Sequence, residues 1–338
     1  MGDLIKNTDL DLSKALVFDA HLLKTFRACE EKYRLFDVEH VVTKDMKAAP
    51  SFGIAMHEGV ADLRECKKAG MKFPEALEHS QKALLEAYKK HMPPEYTSEI
   101  LQDDLRGPKN ALRLFTGYAH HYEPMGLKFH QVEVPFAMLI GEVSVPDVKD
   151  GVVGSLETCL WVTRDAIMTG IMDCILEMHS TLFVNDLKTT GWNISEEWLE
   201  GFKMDQGLIG YTVAARELLG IDTHSAVVHA MWVKGEAKDP RRAKPLDEYF
   251  HTKELYWDDQ QLEEWHSNTL CTIQKIVIAQ ATNQWQRDYG QNCGAFGGCE
   301  YRKLCSVTPK FRDKMKELEY TKGIWSPLED ERMTKLEG

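Results

Sequence analysis

The stretch Thr169–Thr190 places charged side chains inside two apolar runs, and this pattern constrains the chain more than any other. The runs flank a polar break at His179–Thr181, which predicts two strands joined by a tight connection. Asp173 lies within the first run, and Asp186 and Lys188 lie in the second. Burying a carboxylate is costly unless it is paired, hydrogen-bonded or bound to a metal. We therefore expect each of these carboxylates to have a specific partner.

Because side chains alternate along a strand, Asp186 and Lys188 are expected on one face and Leu187 on the other. Two carboxylates from adjacent strands, with a lysine beside one of them, suit a divalent-metal site with a cation near the reacting group. The alternative is a structural ion pair between Asp186 and Lys188, with Asp173 exposed to solvent. These three residues alone leave both interpretations open.

The composition is typical of a globular protein with a full core. The chain has 338 residues, of which 43% are hydrophobic and 28% charged, and this suits one or two domains. It contains neither an apolar run of about 18 residues nor an N-terminal signal pattern, so we expect no membrane span and a cytoplasmic location. The net charge of −12 argues against nonspecific coating of nucleic acid but permits an enzyme with a local basic groove.

Three cysteines with equal spacing lie near the C-terminus. Cys293, Cys299 and Cys305 are six positions apart, and glycines between the first two permit tight backbone turns. In a cytosolic chain this group predicts a metal site rather than disulfides. A zinc knuckle usually contains a C-x2-4-C pair, which is absent here. An iron–sulfur cubane needs a fourth thiolate, which Cys29 could supply. The spacing leaves iron–sulfur and zinc open.

Several of these motifs resemble the PD-(D/E)XK nuclease superfamily, and in particular its RecB-like branch. Gly170–Asp173 matches the G-x-x-D of that branch, and Asp186–Lys188 matches the D/E-x-K that follows it. The next helix carries Gln206 and Tyr211, separated by a step of five where the family usually has four. Upstream, His57 matches a G-x-x-x-H whose histidine binds the catalytic metal in the family.

The cysteines extend the resemblance to both ends of the chain. The sequence around Cys29 reads T-F-x-x-C-x-x-x-Y, as in the AddB-type, CRISPR-associated and phage exonuclease-like members that hold a [4Fe-4S] cluster. The C-terminal pattern is C-x5-C-x5-C here, where the family usually has C-x2-C-x5-C. The resemblance implies a cluster that clasps the first helix to the last segment. Its ligands would be Cys29, Cys293, Cys299 and Cys305.

The resemblance also implies roles at the nuclease site. Mg2+ or Mn2+ would be bound, with an imidazole ligand favouring Mn2+. The implied metal ligands are His57, Asp173, Asp186 and, through its carbonyl, Leu187. Lys188 would orient the attacking water or stabilise charge on the phosphate, and Gln206 and Tyr211 would position the substrate. Glu133 falls where RecB-like proteins often carry a glutamate, although a solvated strand residue is an equal alternative.

We therefore expect an α/β fold with a restriction-endonuclease-like mixed β-sheet core flanked by helices, a helical lobe and an iron–sulfur clasp. Periodicity predicts helices over 19–36, from Pro50 onward, up to Leu219 and over 258–285. The expected segments are an N-terminal segment with the first cysteine (1–36), a helical lobe with the metal-binding histidine (37–129), the nuclease core (130–285), the cluster segment (286–310) and a charged tail (311–338).

The implied function is a metal-dependent DNA exonuclease of recombination, repair or phage DNA metabolism, acting on single strands or DNA ends. No P-loop pattern occurs, so a helicase or recombination protein would be a partner on another chain. The alternative is a nuclease-like DNA-end-binding subunit of a larger recombination or CRISPR adaptation complex. A basic loop over 234–253 is expected either to contact phosphates or to be solvated. Its cations are Lys234, Lys238, Arg241, Arg242, Lys244 and Lys253.

Overall fold

The computed structural model describes residues 5–6, 10–44, 48–97, 104–147, 159–237, 241, 244–294, 298–324 and 326–328. Contacts divide the chain into two compact units, each assembled from separated segments. The first unit comprises 1–3, 46–135 and 171–258, and the second comprises 4–45, 136–170 and 259–338. In the described ranges, no helix combines the length and the apolar character that a membrane crossing requires.

Three helices of the first unit form one apolar cluster. They are α3 (Ala48–Lys68), α4 (Phe73–His91) and α5 (Pro108–Tyr122). Helix α3 begins two residues before the predicted start at Pro50, because proline is tolerated in the first turn of a helix. Buried side chains from all three helices, including Met56, Leu84 and Phe115, pack together with Leu187.

A mixed sheet contains five strands in the order β4-β5-β6-β7-β8. Their bounds are β4 (Lys128–Pro146), β5 (Trp161–Met178), β6 (Thr181–Thr190), β7 (Ser225–Trp232) and β8 (Phe250–Tyr256). Strands β5 and β6 form the predicted hairpin, whose turn residues His179 and Ser180 have φ of 51° and 64°. Strand β6 pairs in parallel with β7, and β7 pairs antiparallel with β8. This mixed sheet with flanking helices confirms the predicted α/β fold.

Two short helices follow β6 where one continuous helix up to Leu219 was predicted. Helix α6 (Glu196–Glu200) leads into a 3-10 turn, and α7 (Gln206–Leu219) begins afresh. The prediction of a single helix is wrong because Asp205 caps the second helix: its Oδ1 accepts hydrogen bonds from the N–H groups of Gly207 and Leu208, at 3.0 and 3.1 Å.

The second unit contains both ends of the described chain. Its N-terminal elements are β1 (Ile5–Lys6), β2 (Leu16–Asp19), α1 (Ala20–Ala28), α2 (Glu30–Tyr33), a π-helical turn (Arg34–Val38) and β3 (Val41–Thr43). Its C-terminal elements are α8 (Asp259–Thr282), α9 (Arg302–Ser306), α10 (Arg312–Glu319) and β9 (Tyr320–Lys322). Strand β2 pairs in parallel with β5, and β3 pairs antiparallel with β9. Part of the predicted charged tail is therefore folded.

The first predicted helix is interrupted at Cys29. This residue has an extended backbone, with φ −170° and ψ 118°, and lies between α1 and α2. The helical periodicity over 19–36 reflects two helices that bury the same side, with Phe26 on the first and Tyr33 on the second packed against Ile273 of α8. The N–H of Cys29 still donates to the carbonyl of Thr25 at 3.0 Å, and its carbonyl accepts from the N–H of Tyr33 at 3.1 Å.

Gly59 permits the close packing of α3 against α4. A Cβ at this position would lie 2.9 Å from Cβ of Leu84, so α4 would have to move. Gly59→Ala should lower the free energy of unfolding by about 1–3 kcal/mol, although alanine is normally the better helix residue. Gly201→Ala is the matched control, because Gly201 has φ −56° and no atom within 4 Å of the added Cβ. Denaturant titration that finds the two variants equally stable would contradict this account of the packing.

Candidate active site

Asp173 and Asp186 lie on the two arms of the β5–β6 hairpin. The pairing of Cys174 with Asn185 places both acids just beyond the end of the antiparallel ladder. The backbone N–H of Leu187 donates a 2.8 Å hydrogen bond to Oδ2 of Asp173 across the two strands. Both carboxylates are largely buried, with 13% and 6% of their side chains exposed. The alternative of a solvent-exposed Asp173 is therefore wrong.

Each carboxylate has its own basic partner. Nδ1 of His57, on α3, lies 3.2 Å from Oδ2 of Asp173. Nζ of Lys188 lies 2.7 Å from Oδ2 of Asp186, on the face that the alternation along β6 predicts. The lysine contact is a close ion pair, and Oδ2 of Asp186 has no hydrogen-bond partner apart from this ammonium. This buried oxygen remains available to another cation.

The glycine of the G-x-x-x-H motif explains how α3 delivers His57. A Cβ on Gly53 would lie 3.2 Å from Oγ1 of Thr189, on the strand that carries Asp186. Glycine thus permits a close approach of the helix to β6. One helical turn later, His57 meets Asp173. In this motif, the glycine allows the helix to pack against the strand, and the histidine contacts the carboxylate.

Burial and charge shift the pKa values of the four groups in ways that depend on their partners. Burial alone would raise the pKa of Asp173, but His57, Arg64 and the Leu187 N–H hold it well below its usual range. Burial raises the pKa of Asp186; Lys188 partly offsets this rise, and the charge of Asp173 adds to it. Burial opposes ionisation of Lys188, but Asp186 outweighs it and raises the pKa.

The same balance applies to His57. Burial favours its neutral imidazole, but the carboxylates of Asp173 and Asp186 outweigh that effect and raise its pKa. The site thus brings two carboxylates together with the basic groups of His57, Lys188 and Arg64. Carboxylate oxygens and an imidazole fit a divalent cation, and Mn2+ accepts the imidazole more readily than Mg2+. Direct ligation by the carbonyl of Leu187 stays a prediction.

A buried polar network lies behind the hairpin, and sequence reasoning missed it. Nη2 of Arg64 donates to Oδ1 of Asn185 and, at 3.2 Å, to the hydroxyl of Tyr118. That hydroxyl also lies 2.9 Å from Nδ1 of His229 and is hydrogen-bonded to it. Burial and the charge of Arg64 lower the pKa of His229, so its imidazole is neutral. The available signal was a histidine in the otherwise apolar run of β7.

Arg64 also connects this network to the acids. Its guanidinium is buried, with 2% of the residue exposed, and its charge lowers the pKa of Asp173. Asn185 precedes Asp186 in β6, and its amide Nδ2 also donates to the carbonyl of Val227 at 2.9 Å. The network therefore fixes β6 where it carries Asp186, and it supplies positive charge on the inner side of Asp173.

The other predicted site residues lie on neighbouring elements. Gln206 is the buried first residue of α7, and Tyr211 lies farther along the same helix. The charge of Asp205, which caps α7, contributes to the raised pKa of Lys188, so the start of the helix lies near the site. Glu133 lies in β4 with φ of 49°, a region that is strained for a residue other than glycine and is concentrated at functional sites.

The second unit brings its N-terminal cysteine towards its C-terminal cysteines. The Asn292 side chain donates a 3.0 Å hydrogen bond to the carbonyl of Ala28, and the N–H of Glu31 donates to the carbonyl of Gln286 at 2.9 Å. Burial raises the pKa of the Cys305 thiol, and the nearby charge of Cys29 contributes to this rise. These contacts bracket Cys29 on both sides.

The C-terminal cysteines share one folded segment. The N–H of Cys299 donates to the carbonyl of Cys293 at 3.1 Å, and Gly298, between them, has φ of 103°. Burial raises the pKa of Cys299, and Cys29 again contributes. Residues 295–297 lie outside the described ranges. Half-buried sulfur donors from two parts of the chain fit a thiophilic metal centre, and the identity of that centre stays a prediction.

The basic residues of the predicted loop over 234–253 lie in different environments. Lys253 lies in β8, where Nζ contacts the carboxylates of Glu196 and Glu200, so the prediction of a loop position for it is wrong. The strand continues through this position because Phe250 and Leu255 are buried. Nζ of Lys234 lies 4.2 Å from the ring centroid of Trp232. Lys238 and Arg242 lie outside the described residues.

Comparison with known proteins identifies a family model and similar solved structures. A family model described as the PD-(D/E)XK nuclease superfamily matches residues 20–306. A crystal structure of a "Putative exonuclease" from Eubacterium rectale is similar at 11% identity and a TM-score of 0.44, over 86% of this chain and 88% of that chain. The structure of SSO0001 is similar at 12% identity and a TM-score of 0.26, over 74% of this chain and 84% of that chain. No curated protein sequence matches the chain.

The buried network leads to a prediction about Tyr118. Tyr118→Phe removes the acceptor for Arg64 and the hydrogen-bond partner of His229 Nδ1, leaving both groups buried with fewer partners. The free energy of unfolding should fall by about 1–3 kcal/mol. Tyr256→Phe is the control, because its half-exposed hydroxyl contacts Glu254 and its loss should change stability by about 0.5 kcal/mol at most. Urea titrations of both variants provide the measurement, and an unchanged Tyr118→Phe protein would contradict this role.

Proposed function

The chain belongs to the PD-(D/E)XK nuclease superfamily, and on that premise we propose that it is a metal-dependent DNA exonuclease of the RecB-like type. The observation that carries the proposal is the buried pair Asp173 and Asp186, which lie opposite each other on adjacent strands, each beside its own basic group. The match over 20–306 supports the same class of chemistry.

The residues proposed to hold Mg2+ or Mn2+ are Asp173, Asp186, His57 and the carbonyl of Leu187. When bound, such a cation lowers the pKa of a coordinated water and stabilises negative charge on a phosphate. The low pKa of Asp173 keeps its carboxylate ionised and ready to bind the cation. Cation binding also offsets the charge repulsion that raises the pKa of Asp186.

Lys188 supplies a permanent positive charge beside the reacting phosphate. Its raised pKa keeps the ammonium protonated over the physiological range, so it orients water or stabilises the developing negative charge. A protonated lysine is a poor general base. We therefore assign it an electrostatic and orienting role, and leave the proton of the attacking water to solvent or the substrate phosphate.

Substrate positioning is assigned to residues near the end of β6 and the start of α7. Gln206 and Tyr211 are proposed to contact the DNA strand. Trp192, which follows β6, is 68% exposed and offers an aromatic surface on which a base can stack. Lys234 and Lys244 lie over the ring of Trp232, at 4.2 and 5.7 Å, and are proposed to contact phosphates nearby.

The four-cysteine site is proposed to hold a [4Fe-4S] cluster with a structural role. Cys29 precedes Cys293 by 264 positions (293 − 29), so one centre closes almost the whole chain. By analogy with a covalent cross-link, closure of such a loop restricts the unfolded chain by about 5–6 kcal/mol. Phosphodiester hydrolysis transfers no electron, so the cluster is assigned to folding rather than to the chemical step.

The nuclease proposal predicts that single changes in the hairpin abolish cleavage. Asp186→Asn and Lys188→Met should each lower the rate by about 100-fold or more, because each removes a charge that acts on the metal or the phosphate. Glu177→Gln and Lys128→Met are matched controls, since these residues form an exposed ion pair near the other end of the hairpin. The rate is measured on end-labelled DNA with Mn2+ or Mg2+, and circular dichroism checks folding.

The form of the substrate separates the exonuclease from its alternatives. Linear single- or double-stranded DNA should be degraded from its ends, and covalently closed circles should resist. Equal rates on linear and circular strands would establish an endonuclease instead. Wild-type protein that binds DNA ends but releases no nucleotides with either metal would establish a DNA-end-binding subunit. Full activity in excess EDTA would overturn the metal-dependent mechanism.

The cluster proposal predicts loss of iron on substitution of a cysteine. Cys29→Ser and Cys305→Ser should lose iron and sulfide and become protease-sensitive near both termini. Cys271→Ser is the control, because this exposed thiol lies outside the four-cysteine set. Asp173→Asn should retain the iron while losing cleavage. Stoichiometric zinc without sulfide in anaerobically purified wild-type protein would overturn the iron–sulfur assignment.

A further inference from the structure

We propose that Asp62, Cys66 and His79 form a zinc site on the α3–α4 helix pair. Among the described residues, this is the only group of three His, Cys, Asp or Glu side chains whose donor atoms all lie within 4.8 Å of one another. Asp62 and Cys66 are one turn apart on α3, so both project from one face of the helix. His79 reaches them from α4.

The separations match a tetrahedral zinc ion. Sγ of Cys66 lies 3.7 Å from Oδ2 of Asp62 and 3.5 Å from Nδ1 of His79. Nδ1 of His79 lies 2.9 Å from the same carboxylate oxygen. Ligands held about 2.0–2.3 Å from a tetrahedral zinc are about 3.3–3.6 Å apart. Only the His79–Asp62 pair would have to open, by less than 1 Å, to admit the ion.

The surroundings resemble a prepared metal site. Ser80 Oγ donates a 2.6 Å hydrogen bond to Oδ2 of Asp62, which orients the carboxylate as an outer partner does around bound metals. Cys66 is buried, with 8% of the residue exposed, whereas 59% of the His79 side chain is exposed. Three protein ligands therefore leave a fourth position open to water.

The donor set favours zinc over the cations proposed for the nuclease site. Thiolate and imidazole are soft or borderline ligands that bind Zn2+ well, and Mg2+ and Ca2+ prefer oxygen alone. Metal binding releases the thiol proton of Cys66, whose pKa is raised by burial and by Asp62 in the metal-free protein. None of the three residues belongs to the proposed nuclease site, so this proposal stands independently of it.

The test uses Zn2+ and Co2+ alone as probes of full-length protein. Wild-type protein should bind one more equivalent of Zn2+ than Cys66→Ser or His79→Ala, and Zn2+ should raise the melting temperature of wild type alone among the three. Co2+ should give a thiolate-to-metal charge-transfer band that is weaker in Cys66→Ser than in wild type. Ser80→Ala should weaken the affinity for Zn2+ by about 10-fold but should still bind the same number of Zn2+ equivalents as wild type.

The controls separate this site from the four-cysteine site. Cys271→Ser and His266→Ala change residues outside both proposed metal sites and should match wild type in every measurement. Cys29→Ser should lose its iron but keep the Zn2+ equivalent assigned here. Since His79 is exposed, His79→Ala is expected to stay folded even if Cys66→Ser does not. Equal Zn2+ stoichiometry in wild type and His79→Ala would overturn the proposal and leave a metal-free hydrogen-bonded group.

Discussion

Two carboxylates buried at one point of a hairpin are the constraint on which the first unit depends. Asp173 and Asp186 would repel each other strongly in a low-dielectric surrounding without nearby positive charge. The chain supplies it from two elements: His57 and Arg64 lie on α3, and Lys188 lies on β6. The packing of α3, with its glycine contact to β6, is therefore inseparable from the electrostatics of the site.

The sequence predicted those parts of the structure that depend on local patterning. The hairpin followed from two apolar runs around a polar break, and the faces of Asp186 and Lys188 followed from the two-residue period of a strand. Features set by a single cap or by tertiary contacts could not be predicted in this way. Asp205 starts a new helix inside a continuous periodic pattern, and Cys29 interrupts another. Lys253 was assigned to a loop by its basic neighbours, yet it lies in a strand and contacts acids of α6.

The candidate site shows the same division. Its charged residues were found because acids and a lysine are unexpected in apolar strands. The network of Arg64, Tyr118 and His229 was not predicted, because these residues are far apart in the sequence and meet only in the folded protein. The Asp62–Cys66–His79 group was not predicted for the same reason. Asp62 and Cys66 lie on one face of α3, but His79 lies on α4. Spacing reveals ligands on one element, whereas convergence of separate elements requires the tertiary structure.

The short turn at His179 and Ser180 has a consequence for the order of folding. The two acids are only 13 positions apart (186 − 173), and an isolated hairpin closes within about 1–10 μs. His57 and Arg64 are more than 100 positions upstream of Asp173 and reach it only when long-range contacts form. The nascent hairpin thus carries both carboxylates with Lys188 beside Asp186, but without His57 and Arg64, the cations that act on Asp173. A divalent cation from solution can bind the two carboxylates until those residues reach them. The cations proposed for catalysis should therefore also accelerate refolding.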